Sequence, residues 1–213
     1  MKNHSTKAQQ VARGILRTAA ATAFGLVSTV ALPQAAHAQT VTPPPVPAGL
    51  EVEAPNEAFL LGRGVGTQNY VCQPADSLGR VAWTLFTPEA TLFSDQREQL
   101  TTHFFSPNPA EGFIVRVTWQ DSRDTSTVWA RLIKSVPDPN GSGAIPWLKL
   151  QAAGTQDGPT GGDTLSRTTF VQRLNTVGGS APATGCDIPT DIGHKAFVPY
   201  TADYFFYKAP SSI

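Results

Sequence analysis

The sequence predicts an all-β protein: a single, mainly antiparallel sandwich or barrel of about eight to ten strands with long Gly/Pro loops, stapled by one disulfide. Three observations carry this. Helical periodicity is scarce, whereas apolar/polar alternation returns roughly every ten to fifteen residues. Val, Thr and aromatic residues fill these runs, while Gly, Pro, Asp and Asn fill the gaps. Two cysteines, Cys72 and Cys186, lie far apart in the chain.

Taken in order, residues 1–38 carry Lys2, Lys7, Arg13 and Arg17 ahead of an Ala-rich apolar core ending near Leu32. That core is shorter than the roughly 20 residues a spanning helix needs. It leads to Ala36-His37-Ala38, a small-x-small cleavage pattern, so the segment reads as a secretory signal removed after Ala38. The expected mature chain starts at Gln39 and works in the periplasm or outside the cell. No cysteine adjoins the cut, so a lipid anchor is not expected, and no second apolar run is long enough to span a bilayer.

Without the four signal cations, 12 Lys and Arg face 16 Asp and Glu, a formal charge of −4. No basic cluster suits a phosphate backbone, so nucleic acid is excluded as a partner. In an oxidising compartment Cys72 and Cys186 are expected to pair. A redox role is disfavoured, because the Cys-x-x-Cys spacing is missing. The mature length fits one domain, expected as a monomer.

Residues 39–50 contain TVTPPPVPAGL, an extended Pro-rich lead-in, and the β domain is expected over 51–213. Its clearest strand is FIVRVTW, with Phe113, Val115, Val117 and Trp119 on one face. TQNYVC, VAWTLF, ATLFS, TVWARLIK, IPWLKLQAAG, LSRTTFVQRLN and DYFFYK read as further strands, and SDQREQLTTHF as one short helical turn. In DYFFYK, Tyr204 and Phe206 share one face and Phe205 and Tyr207 the other, which suits a strand covered on both sides.

GTQNYVC, PEATLF, TTHFFSPNP, IPWLKLQ, FVQRLNTVGGSAPATGC and VPYTADYFFYK resemble the recurrent blocks of a secreted family catalogued as domain of unknown function 3455. The resemblance covers nearly the whole mature chain and implies export and a shared fold, without an activity. Many members carry a compact His…Gly-Pro-x-Trp…Asp-Gly-Ser stretch; here only His103 and Trp119 match it, and the loop around Asp121 and Asp124 departs from it. Some relatives carry the label malate dehydrogenase. Gly62-Arg63-Gly64-Val65-Gly66-Thr67 argues against that label, because the third glycine of a dinucleotide fingerprint is misplaced and no βαβ unit follows.

Candidate chemistry is sparse. The mature chain has only His103 and His194 to offer a metal, with Asp191 or Glu111 as a third ligand, and no ligand spacing supports a site. Neither metal nor cofactor is expected. Gly141-Ser142-Gly143 reads as a turn, not a nucleophile elbow. Asp121 and Asp124, beside Trp119, Arg123 and Trp129, offer a carboxylate pair for glycoside cleavage. Arg173 reads as a holder of loop carbonyls or as a bidentate partner for a ligand carboxylate. The expected function is a non-catalytic binding or envelope-associated module for a small-molecule or glycan ligand, with His103, Trp119, Arg123, Trp129 and Arg173 as binding residues. The alternative is a carbohydrate hydrolase using Asp121 and Asp124.

Overall fold

A computed structural model describes residues 41–210. The expected signal segment lies outside the described residues. Eight strands form one closed antiparallel barrel: β1 Glu57–Pro74, β2 Val81–Phe93, β3 Gln99–Asn108, β4 Ile114–Asp121, β5 Thr127–Val136, β6 Trp147–Gln156, β7 Thr168–Gly178 and β8 Lys195–Lys208. Each strand pairs with its chain neighbour, and β8 returns to β1 through a register that places Gly62 opposite Tyr204 and Gly66 opposite Tyr200. Closure of this kind gives every strand a partner on each side, although β2 and β3 pair only over Ala90–Phe93.

Alternation places one face of each strand inside. Trp119, Leu150, Val171, Tyr200, Tyr204 and Phe206 belong to the interior core. Phe205 and Tyr207, on the opposite face of β8, join Leu50, Trp147 and Leu174 in a second core on the outer wall. The Pro-rich lead-in supplies the cover for this outer core. Val41 and Val46 pack there, Gln172 Nε2 donates to Leu50 O at 2.6 Å, and Lys149 Nζ meets Glu53 Oε2 at 2.8 Å. The aromatic density of DYFFYK on both faces is thus matched by two separate apolar surroundings.

Two sequence expectations change. VAWTLF and ATLFS are one strand, β2, running through Pro88. Pro88 is opposite Gln68 on β1, but β2 pairs with β3 only over Ala90–Phe93, so the proline sits where no ladder bond to β3 is required. SDQREQLTTHF is not a helical turn. Ser94 Oγ accepts from the amides of Gln96 and Glu98, Arg97 adopts a left-handed φ of 65°, and the chain then enters β3. The alternation from Thr101 through His103 to Phe105 outweighs the weak helical propensity of the loop.

The Gly-x-Gly-x-Gly run of β1 has a packing cause. A Cβ on Gly62 would lie 2.7 Å from Leu92 Cδ2, one on Gly64 2.7 Å from Tyr204 Cε2, and one on Gly66 2.1 Å from Glu89 O. The glycines thin the wall so that large side chains from neighbouring strands fill the interior. They sit within an antiparallel strand and open no helix, so nothing here resembles a dinucleotide cradle.

Cys72 on β1 and Cys186 in the β7–β8 loop form a disulfide with Cα atoms 5.4 Å apart. Gly141-Ser142-Gly143 lies in the β5–β6 turn, where Asp138 accepts from the Ser142 amide at 2.9 Å and from its hydroxyl at 2.6 Å.

Candidate functional site

β3 and β4 place His103 directly opposite Trp119, both facing inward. Their rings stack with centroids 4.4 Å apart and planes 11° from parallel, and Tyr204 from β8 closes against both. His103 Nδ1 lies 2.9 Å from Thr118 O. A carbonyl only accepts, so Nδ1 carries the proton and Nε2 the lone pair. Burial in this aromatic stack, with the Arg173 charge nearby, lowers the imidazole pKa from its ordinary 6.5 to about 3. The ring is therefore neutral at physiological pH.

These residues line an interior cavity of about 210 Å³. Its polar wall comprises Gln68 and Tyr70 from β1, His103, Arg173 and Tyr204; its apolar wall comprises Phe105, Val117, Leu148 and Leu150. Arg173 is 9% exposed, and its Nε and Nη2 donate to Pro146 O at 3.3 and 2.9 Å. Tyr204 lies against the same guanidinium and shares a 2.8 Å hydroxyl–hydroxyl bond with Tyr200. Burial raises the pKa of both phenols, so they remain protonated. Tyr70 Oη donates to Gly179 O at 2.7 Å. Gln68 lies against the Tyr200 hydroxyl, and Trp119 Nε1 makes no hydrogen bond although sealed from solvent. No carboxylate lines the cavity, and among the described residues no ion pair includes Arg173.

A larger groove of about 640 Å³ lies outside the wall where β2 parts from β3. There Phe105 N bonds to Thr87 Oγ1 at 3.3 Å in place of a backbone ladder. Pro88 and His103 line both spaces. The groove is open and has threonines along it; the inner cavity is half-enclosed and brings polar groups together, which makes it the candidate site.

A family model described as "Protein of unknown function (DUF3455)" matches residues 54–208. The chain belongs to this family. No curated protein and no solved structure matches it. For this DUF3455 member the barrel geometry is therefore the main guide to function.

The residues singled out from the sequence separate into three places. His103, Trp119 and Arg173 meet in the cavity of the DUF3455 barrel. Trp129 pairs with Thr118 on the opposite face of the wall, and its Nε1 donates to Ser106 Oγ at 2.8 Å. Arg123 is exposed in the β4–β5 turn and pairs with Glu98 at 2.8 Å. Asp121 and Asp124 build that turn: Asp121 Oδ1 accepts from the amides of Arg123 and Asp124, at 2.8 and 2.9 Å, and Asp124 accepts from Ser126 N and from the amide and hydroxyl of Thr164. Those bonds hold the Asp124 carboxyl well below the usual carboxylate range, opposing its desolvation. A glycosidase acid needs the reverse shift.

Sequence reasoning missed Gln68, Tyr70, Tyr200, Leu148 and Leu150. Tyr200 and Tyr204 were within reach of it, since they share the parity of Phe206 on β8. Tyr70 follows a register shift that alternation does not reveal, whereas Gln68, Leu148 and Leu150 alternate regularly on faces that only the closed sheet marks as the inside. His194 is exposed beside Asp191, remote in role from His103, and among the described residues no cluster of three His, Cys, Asp or Glu side chains is placed to hold a metal. Among the described residues, no helix is long and apolar enough to cross a membrane.

Proposed function

We propose that this chain is a non-catalytic module, working in the periplasm or outside the cell, that binds a small molecule inside its barrel. The observation that carries the reading is the interior cavity, in which one buried arginine, tyrosine hydroxyls and a neutral histidine converge above an apolar wall. Eight-stranded barrels have interiors wide enough for one small ligand. Binding fits this geometry better than carbohydrate hydrolysis, because Asp121 and Asp124 are committed to turn hydrogen bonds away from the cavity.

The test is a thermal-shift panel of glycans, metals, small acids and apolar compounds, run on the protein and on a Leu148→Trp variant that fills the cavity. Ligand binding to the native state raises the midpoint by mass action. A rise with one ligand class that disappears in Leu148→Trp supports the reading. Silence across the panel, or a shift that the filled cavity leaves intact, refutes it.

A further inference from the structure

The cavity has a one-sided chemistry. Every charged group on its wall is cationic, namely the Arg173 guanidinium. It is buried, held at one edge by Pro146 O, and opposed by no carboxylate among the described residues. A buried charge is ordinarily paired, so an unpaired guanidinium facing a cavity calls for an anion from outside the chain. Beside it stands the hydroxyl of Tyr204, which also lines the cavity and is bonded to that of Tyr200. Such a set suits a planar acceptor with two oxygens, the geometry of a carboxylate.

The opposite side of the cavity is apolar and does not end there. Phe105, Val117, Leu148 and Leu150 also line a neighbouring space of about 290 Å³ that continues to Val115 and Leu132, with Arg116 and Arg131 at its border. Val115 and Leu132 are exposed by 58% and 57%. Leu150 pairs with Leu132 on β5 and with Val171 on β7, two residues from Arg173. At about 4.8 Å per strand, the path from β7 to β5 spans roughly 10 Å of apolar wall. A polar ligand would leave that wall uncovered.

We infer that the ligand is an amphiphilic carboxylate of medium chain length: its carboxylate sits on Arg173 beside Tyr204, and its apolar chain runs over Val117, Leu148 and Leu150 toward Leu132. The inference rests on the binding reading above and names the ligand class for the same cavity.

The experiment is a calorimetric titration of the full chain with decanoate, 1-decanol, decyltrimethylammonium and acetate at neutral pH. Decanoate is expected to bind at least ten-fold more tightly than decanol, with the cationic analogue weakest and acetate giving no signal. Arg173→Met should bring decanoate down to the level of decanol, while Arg173→Lys should recover part of the preference. The wild-type comparison stands even if an Arg173 variant fails to fold. Equal binding of decanol and decanoate overturns the anionic head but leaves interior binding in place. Acetate matching decanoate overturns the apolar chain. Binding of another class from the thermal-shift panel, with no decanoate signal, overturns the inference alone, and silence from every compound overturns both.

Discussion

At the residue scale, His103 shows how a barrel interior sets the state of a titratable group. Its backbone acceptor, Thr118 O, favours a protonated Nδ1, yet desolvation outweighs this and the folded imidazole stays neutral down to about pH 3. The unfolded chain takes up that proton near the ordinary value of 6.5, so between the two values it binds more protons than the fold does. His103 therefore makes stability rise with pH across this window and fall as pH drops from 6.5 toward 3. Urea denaturation at pH 7 and pH 5 should show the wild type losing about 2 kcal/mol more than His103→Phe over that interval. Equal losses in the two proteins would mean that the ring is hydrated and charged at pH 5.

At the element scale, β1 carries the clearest consequence of closure. Its glycines at 62, 64 and 66 face inward and leave room for Leu92, Tyr204 and the β2 backbone. Alanine at Gly64 meets the edge of a ring that has little space to move; alanine at Gly66 meets the Glu89 carbonyl and the Ala90 backbone. Gly64→Ala should destabilise by about 1–3 kcal/mol, the usual range for overpacking, and Gly66→Ala by more, because backbone yields less readily than a side chain. Chemical denaturation of the two variants tests the order. Gly64→Ala should also weaken ligand binding, since Tyr204 lines the cavity. Strand β2 makes a related point: Pro88 is tolerated because β3 diverges there, so the opening beside the cavity and the proline have one origin.

At the scale of the whole molecule, the chain closes on itself twice. Hydrogen bonding joins β1 to β8, and the Cys72–Cys186 bond joins the end of β1 to the loop that enters β8, across a separation of 114 residues. Both closures act on the same seam. In the chain-entropy account a covalent loop of this size stabilises by about 4–5 kcal/mol. A Cys72→Ala/Cys186→Ala double variant should lose stability on that order, and reduction of the wild type should have a similar effect. The Tyr200–Tyr204 pair lies on β8 beyond the bridge, so destabilisation with little change in cavity affinity is the expected pattern. An unchanged denaturation midpoint after reduction would show that the ladder alone holds the seam.

The all-β class, the disulfide partners and the two-sided burial of DYFFYK were legible in the amino-acid order alone. Each is a local or compositional property: alternation has a period of two, turn residues mark the chain reversals, and two cysteines allow one pairing. The sequence also named His103, Trp119 and Arg173 individually. Their meeting was decided by the tertiary structure, because barrel closure brings β3, β4 and β7 around one interior and the inter-strand register selects which side chains face it. The same closure sent Trp129 to the opposite face of the wall and left Asp121 and Asp124 in a turn, although all three lie within ten residues of Trp119. Proximity along a strand alternates between two environments, and only the closed sheet decides which of them is the inside.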